Sequence, residues 1–253
     1  DAQESRGLGD VYKRQHIMQK PSYHSIKKDT PNWPIRQSVL VEWICMWISP
    51  YFSRYFIAWN LRPNTVTMFM ITFGVVGSII FCFPPLPCKI IGCLCFWMWY
   101  IMDCSDGEVA RSTKQFSKYG VEMDFMAHLI SHPLMNFSFW LTYMQMDKYN
   151  STIITILFLI FGCTELISRN IIDISIYQMK KEGSGRPLLP FYKYLFNQLS
   201  CYPNIALFLS IFIILDIGHI IDSEYILYVL FSTHLGSTAN LYIKTLVKYY
   251  KSK

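Results

Sequence analysis

Residues 63–88 read PNTVTMFMITFGVVGSIIFCFPPLPC and contain no charged side chain. A transmembrane helix needs about 20 largely apolar residues, and this run supplies them before its proline pair. We therefore predict a helix near residues 64–83. Pro84 and Pro85 end it, because proline cannot continue the interior of a helix. This stretch assigns the chain to the all-α integral membrane class.

Five further apolar stretches follow, which predict helices near residues 87–112, 118–146, 151–179, 200–221 and 224–248. Upstream, residues 35–58 are amphipathic and rich in tryptophan, a residue that prefers the membrane–water interface. The sequence thus predicts six transmembrane helices preceded by an amphipathic interfacial helix. A seventh span over residues 35–58 is the alternative, and Glu42 and Arg54 argue against it.

The composition agrees with a lipid environment. Hydrophobic residues make up 52% of the 253 residues and charged residues only 16%, whereas a soluble domain usually carries about a quarter charged residues. The net charge of +6 is unevenly placed, because only Lys89 and Lys148 fall in connections on one side of the predicted helices. Since cytoplasmic segments carry the excess of Lys and Arg, we expect both termini in the cytoplasm and no nucleic-acid partner.

The chain divides into three segments. Residues 10–15 read DVYKRQ, which matches a translated transposon-type sequencing adapter, so we interpret residues 1–15 as a non-native sequencing or assembly scar. Residues 16–61 form a cytoplasmic and interfacial N-terminal segment. Residues 62–253 form the six-helix membrane domain.

Two short segments place acidic residues on neighbouring predicted helices. They are DCSDGEVAR at residues 103–111 and GVEMDFMAH at residues 120–128. Asp103 and Asp106 are three residues apart, and Asp124 and His128 are four apart, so each pair shares a helix face. A short turn between the helices would bring the two faces together. Ionisable groups at the edge of a membrane span are costly and indicate function.

The residue types indicate a site for a metal ion and a pyrophosphate. Clustered carboxylates repel one another unless a cation lies between them, and oxygen ligands suit Mg²⁺ or Mn²⁺. Gly107 and Gly120 remove side chains where a ligand must approach. Arg111, about one turn beyond Asp106, can bind a phosphate through two hydrogen bonds.

The pattern D-x2-D-G-x2-A-R-x8-G-x3-D-x3-D is the signature of the CDP-alcohol phosphatidyltransferase family, which this chain resembles. The matching positions are Asp103, Asp106, Gly107, Ala110, Arg111, Gly120 and Asp124. Residues 62–67, RPNTVT, are also similar to the P-N-x-x-T start of the family. The resemblance covers most of the chain from about residue 63 onward.

The resemblance implies six membrane helices around a cytoplasm-facing polar cavity and a transferase of phospholipid biosynthesis. A CDP-alcohol, with CDP-diacylglycerol favoured, would donate a phosphatidyl or substituted phosphate group to an acceptor hydroxyl and release CMP. Two divalent ions, Mg²⁺ or Mn²⁺, would be held by Asp103, Asp106, Asp124 and His128. The donor-binding residues implied are Gly107, Ala110, Arg111, Gly120, Asn64 and Thr67. Members of the family often form homodimers.

His128 departs from the family pattern, which has an aspartate there as metal ligand and general base. Histidine can act as a base near neutral pH, so we favour His128 as the catalytic base and ligand. An inactive family member and a one-base read error are the alternatives. His132, one turn further along, is either an assisting residue or a structural histidine before Pro133.

Other residues carry weaker signals. Arg169 and Lys118 are candidates for binding the acceptor; an internal pair with Glu165 is the alternative for Arg169, and ordinary cytoplasmic charge for Lys118. A helix cap is the alternative role for Asn64. Three other functions are compatible with the sequence. They are an aminoalcohol-type phosphotransferase that uses a soluble CDP-alcohol and a lipid acceptor, a non-catalytic protein of the same fold, and a cation transporter.

Overall fold

The structure is a computed structural model that describes residues 20–29, 40–182 and 190–251. The segment interpreted as a scar, residues 1–15, lies outside this part of the chain. The described residues form helices and no strands. They are α1 (Tyr23–Asp29), α2 (Leu40–Ala58), α3 (Pro63–Phe81), α4 (Leu86–Thr113), α5 (Gly120–Met146), α6 (Ser151–Glu182), α7 (Phe191–Ser200), α8 (Tyr202–Ile217) and α9 (Ser223–Lys251).

Prolines set several of the helix boundaries. Helix α3 ends at Phe81, just before the predicted break, and α4 begins directly after Pro85. The chain bends by 57° between α7 and α8, where a proline occupies the first turn of α8. Proline fits there because the first N–H groups of a helix have no partner within it. The helix predicted near residues 200–221 therefore starts at this bend, and α7 is an element that the sequence analysis did not predict.

Three helices in the described part of the chain are long and apolar enough to cross a membrane: Pro63–Phe81, Leu86–Thr113 and Ser151–Ile171. The bent pair α7–α8 makes a fourth if it forms one broken span. Helices α5 and α9 have 27 and 29 residues, which is long enough at 1.5 Å per residue, but they carry more polar side chains. The protein is an integral membrane protein with three to four candidate spans, and six spans stay a prediction.

Helices α3, α4 and α5 pack tightly because small residues lie where they cross. A Cβ added to Gly77 would lie 2.7 Å from Cβ of Cys95, and one added to Gly92 would lie 2.8 Å from Cβ of Phe81. Only glycine allows the backbones of α3 and α4 to approach this closely. The packing fixes the position of the C-terminal end of α4, which carries the acidic segment.

Helix α2 has an exposed aromatic face and a buried polar face. Four exposed aromatic residues recur every fourth position on this helix, Trp43, Trp47, Tyr51 and Tyr55, and exposed Trp59 follows directly after its last residue. On its buried side, Ser49 and Ser53 donate hydrogen bonds of 2.7 and 2.6 Å to the carboxylate of Glu108 on α4. The aromatic face suits an interfacial helix, whose location in the membrane stays a prediction.

A second buried polar cluster, centred on Lys89, lies at the N-terminal end of α4, opposite to Glu108. Buried Lys89 donates from Nζ to the carbonyl oxygen of Phe81 at 2.6 Å, to Oγ1 of Thr142 at 2.6 Å and to Oε1 of Gln145 at 3.1 Å. Its three protons are thereby used. Lys89 ties the start of α4 to the end of α3 and to α5.

Candidate active site

The acidic segment spans the junction of α4 and α5. Helix α4 is ended by Lys114, which takes a left-handed conformation with φ of 56°. The turn that follows leads directly to Gly120, where α5 begins. The last turns of α4 and the first turns of α5 are therefore neighbours, as the spacing in the sequence predicts.

The junction brings Asp103, Asp124 and His128 together. One ligand atom from each lies within 4.8 Å of the others. His128 Nε2 is 3.3 Å from Oδ1 of Asp103 and 3.4 Å from Oδ1 of Asp124. His128 is buried, with 5% of its surface exposed. Two carboxylates and an imidazole nitrogen so arranged are suited to holding a divalent cation.

Asp106 lies beside this group but is held differently. Its Oδ2 accepts a hydrogen bond of 2.7 Å from the Thr67 hydroxyl on α3. Thr67 therefore positions a carboxylate, a role that the sequence analysis did not assign to it. Asn64 is not a helix cap, because α3 begins after Arg62 without a side-chain cap and its first residue is Pro63. Asn64 Nδ2 instead donates to the Ser117 hydroxyl at 3.2 Å.

A cavity of about 570 Å³ opens beside Asp106 and Asp124, whereas Asp103 and His128 lie behind these residues and are not part of its lining. Its lining includes Asn64, Thr67, Asp106, Gly107, Ala110, Arg111, Gly120, Asp124 and Arg169. A Cβ on Gly107 would lie 2.9 Å from Nη1 of Arg111, so this glycine leaves room for the guanidinium group beside it. All six residues predicted to bind the donor thus line one cavity.

Three buried polar atoms around the cavity make no hydrogen bond with any described residue: Asp124 Oδ1, Arg111 Nε and Arg169 Nε. A buried polar group without a partner costs about 1–3 kcal/mol. The unpartnered carboxylate oxygen is an acceptor for a cation. The unpartnered arginine nitrogens are donors for an anion such as phosphate. The cavity can therefore accept a metal ion and a phosphate side by side.

The two predicted acceptor-binding residues lie in different places. Arg169 on α6 lines the cavity, whereas Lys118 is exposed, with its Nζ 5.4 Å from the ring centre of Tyr119, and is not part of the lining. No ion pair within 4.0 Å joins Arg169 to Glu165 among the described residues, and Glu165 instead contacts His132 and His234.

The sequence analysis missed a chain of buried side chains behind His128. His128 Nδ1 is 3.0 Å from Nε2 of His132, whose Nδ1 is 2.8 Å from Oε1 of Glu165. Oε2 of Glu165 is 3.3 Å from Nε2 of His234 on α9. The four-residue spacing of the two histidines and a glutamate within an apolar span were visible in the sequence. Nothing in the sequence indicated that these residues meet.

The sequence was also compared with known protein families. The family model for CDP-alcohol phosphatidyltransferase matches residues 60–226, which include every residue of the acidic junction. Among curated proteins, none matches the chain.

Proposed function

Because the chain belongs to the CDP-alcohol phosphatidyltransferase family, we propose that it transfers a phosphatidyl or substituted phosphate group to an acceptor hydroxyl. The donor is a CDP-alcohol, with CDP-diacylglycerol favoured, and CMP is released. The observation that carries the proposal is one cavity that holds both an unpartnered carboxylate oxygen and two unpartnered arginine nitrogens. A metal-bound pyrophosphate would satisfy all three.

Asp103, Asp124 and His128 would hold one divalent ion, and Asp106, which lines the same cavity, would contribute to a second. The fit rests on the mutual approach of the three ligand atoms and on the unpartnered Oδ1 of Asp124. Mg²⁺ or Mn²⁺ bound there supplies positive charge that neutralises the pyrophosphate oxygens.

The chain itself positions the donor. Arg111 and Arg169 bind phosphate oxygens through their free N–H groups. Gly107, Ala110 and Gly120 present little side chain to the cavity, which lets the pyrophosphate approach the helices. Positioning of this kind is the main contribution of the protein to phosphoryl transfer.

The transfer is a substitution at phosphorus. The acceptor oxygen attacks the β-phosphorus, a new P–O bond forms, and the bond from that phosphorus to the bridging oxygen breaks. CMP leaves with the electron pair of the broken bond. His128 would take the proton of the acceptor hydroxyl on Nε2, the nitrogen that faces Asp103 and Asp124. This nitrogen has one lone pair, so it serves as the base only while the aspartates alone hold the ion. Histidine performs here what an aspartate performs in the family pattern.

The membrane arrangement belongs to the same proposal. Helices α5 and α9 cross the bilayer with the candidate spans and the bent pair, which gives six crossings with both termini in the cytoplasm. Polar residues on α5 face the site and its hydrogen-bond chain, which accounts for the lower hydropathy of this helix. The cavity then opens towards the cytoplasm, where the excess of Lys and Arg lies.

The test is CMP release by the purified protein in detergent. We would offer CDP-diacylglycerol and soluble CDP-alcohols with a panel of acceptors, in the presence of Mg²⁺, Mn²⁺ or EDTA. We expect metal-dependent release that falls at least about 10³-fold in Asp106→Asn and about 10²–10⁴-fold in His128→Ala. Exposed Glu122 on α5 offers a matched control, because Glu122→Gln should retain activity.

Two outcomes would replace the proposal. Turnover only in His128→Asp would identify an inactive family member or a misread codon. Turnover only with a soluble CDP-alcohol and a lipid acceptor would identify the aminoalcohol-type reaction instead.

A further inference from the structure

The proposed reaction uses His128 but not the buried side chains behind it. Three further residues continue from His128 into the bundle: His132 on α5, Glu165 on α6 and His234 on α9. Each has at most 4% of its surface exposed. Burying ionisable groups inside a membrane domain costs free energy. Three such groups in a row behind the proposed base therefore indicate a function.

The direction of the hydrogen bonds can be followed from the far end. The backbone carbonyl of Ser200 lies 2.8 Å from Nδ1 of His234. A carbonyl oxygen only accepts, so this nitrogen carries a proton, and in a neutral ring Nε2 of His234 is then an acceptor. That nitrogen lies 3.3 Å from Oε2 of Glu165, a contact that lacks hydrogen-bond geometry. Because its lone pair faces Oε2, a proton on Glu165 is favoured on Oε2.

Oε1 of Glu165 is consequently an acceptor whether or not the carboxyl group carries a proton. It lies 2.8 Å from Nδ1 of His132, so His132 donates from Nδ1. A neutral imidazole has only one N–H, which makes Nε2 of His132 an acceptor. The atom in position to donate to it is Nδ1 of His128, at 3.0 Å.

We propose that Glu165 and His132 are positioning residues that keep the ring proton of His128 on Nδ1. Nε2 of His128 is then left with its lone pair turned towards Asp103 and Asp124. A lone pair and carboxylate oxygens repel one another unless a metal ion or a proton lies between them, so Nε2 is placed either to bind a metal ion or to take up a proton. The inference rests on the proposed function, because it explains how a histidine replaces an aspartate there.

Neighbouring rings hold this arrangement in place. The ring of His132 stacks on Tyr202 with 3.8 Å between ring centres. Trp99 presents its edge to both histidines, at 5.4 Å from His128 and 5.5 Å from His132. The imidazoles therefore cannot exchange their two nitrogens by turning over without disrupting the core. Loss of a residue that hydrogen-bonds to a metal-binding histidine from behind commonly lowers activity or metal affinity by about 10–100-fold.

The alternative is that the chain only ties α5, α6 and α9 together. His234 separates the two explanations, because it contacts the same carboxylate and is equally buried, but is separated from His128 by both Glu165 and His132. His132→Phe keeps an aromatic ring against Tyr202 and removes both nitrogens. His234→Phe is the matched control for loss of a buried imidazole beside Glu165.

The experiment reads the tautomer of His128 directly. We would record ¹⁵N NMR spectra of ¹⁵N-histidine-labelled full-length protein with Mg²⁺ at neutral pH, and assign His128 by its missing signals in His128→Asn. We expect a protonated Nδ1 and an unprotonated Nε2 in the unsubstituted protein and in His234→Phe. We expect His132→Phe to lose this pattern and to lower kcat about 10–100-fold with KM for the donor little changed.

A proton on Nε2 of His128 in the unsubstituted protein, or an unchanged pattern in His132→Phe, would overturn the proposal. So would equal losses of kcat in the two phenylalanine variants. The spectra are recorded without any CDP-alcohol, so they test the positioning of His128 even if no donor is turned over. The spectrum of the unsubstituted protein remains decisive if a variant fails to fold.

Discussion

The two ends of α4 carry buried polar groups that are treated in opposite ways. At the N-terminal end, Lys89 uses all three of its protons in hydrogen bonds. About 33 Å along the helix, the Nε atom of Arg111 is buried without a hydrogen-bond partner among the described residues. The same holds beside it for Nε of Arg169 on α6 and for Oδ1 of Asp124 on α5, which has only a 3.4 Å contact with His128. Burying a polar group costs free energy at both ends. Hydrogen bonds within the protein offset this cost at Lys89 but not at the other end of α4. The end around Lys89, where the polar groups are hydrogen-bonded, is the satisfied end and stabilises the fold. The end around Asp124 is the unsatisfied end, where the polar groups are suited to binding a ligand.

The largest effect should follow from Asp124→Asn, which changes the unsatisfied end. We expect CMP release to fall at least about 10³-fold, equivalent to about 4 kcal/mol in the barrier, because a cation ligand is lost. Thermal stability in detergent without metal should change little, because the substitution removes both the 3.4 Å contact with His128 and the repulsion from Asp103. A clear loss of stability would mean that Asp124 is structural. Glu122→Gln, two residues away and exposed, is the control.

Lys89→Met changes the satisfied end and should have the converse effect. It leaves the carbonyl oxygen of Phe81 and the side chain of Gln145 without their donor, which should cost about 2–4 kcal/mol of unfolding free energy. CMP release per folded molecule should not change. Lys148→Met removes a half-exposed lysine from the same end and should cost under about 1 kcal/mol. Equal losses of stability in the two variants would contradict the role given to Lys89.

The smallest effect is expected for Asp222, an exposed residue near the N-terminal end of α4. The hydroxyl of Tyr149 donates to Asp222 at 2.9 Å and lowers the pKa of that carboxyl group. A lowered folded-state pKa gives stability that is present above the unfolded value of about 3.9 and is lost as the pH falls through the folded value. Between pH 6 and pH 3 the melting temperature should therefore fall more in the unsubstituted protein than in Asp222→Asn. The difference should be no more than about 2 °C, because the pair is exposed, and identical pH profiles would count against it.

Sequence patterns placed the acidic junction well because its geometry is local. Asp124 and His128 share a helix face by spacing alone, and the short turn between α4 and α5 leaves little freedom for Asp103. The link between His132, Glu165 and His234 depends instead on how α5, α6 and α9 are rotated about their own axes. That rotation is decided by packing between segments distant in the chain, which one sequence does not encode in any short pattern.

Composition alone also identifies some of the predicted membrane spans better than others. Helix α3 is apolar around most of its surface, so its composition identifies it as a candidate span. Helix α5 carries buried His128, His132 and Asn136, and these polar residues dilute the signal that marks a span. The bend between α7 and α8 was within reach, because Pro203 stands just after it, but the apolar run continues across it and suggests one helix.

The three hydrogen bonds of Lys89 have a consequence for the order in which the protein is assembled. The chain is synthesised from its N-terminus, so α3 and α4 exist before α5 supplies Thr142 and Gln145. Until then the ammonium group has only the carbonyl oxygen of Phe81. Lys89 lies close to the start of its helix, so its long side chain can reach the membrane surface and stay hydrated there. In the nascent α3–α4 hairpin we therefore expect Lys89 to stay at the membrane surface. Its side chain can be buried in the bundle only after α5 has been made.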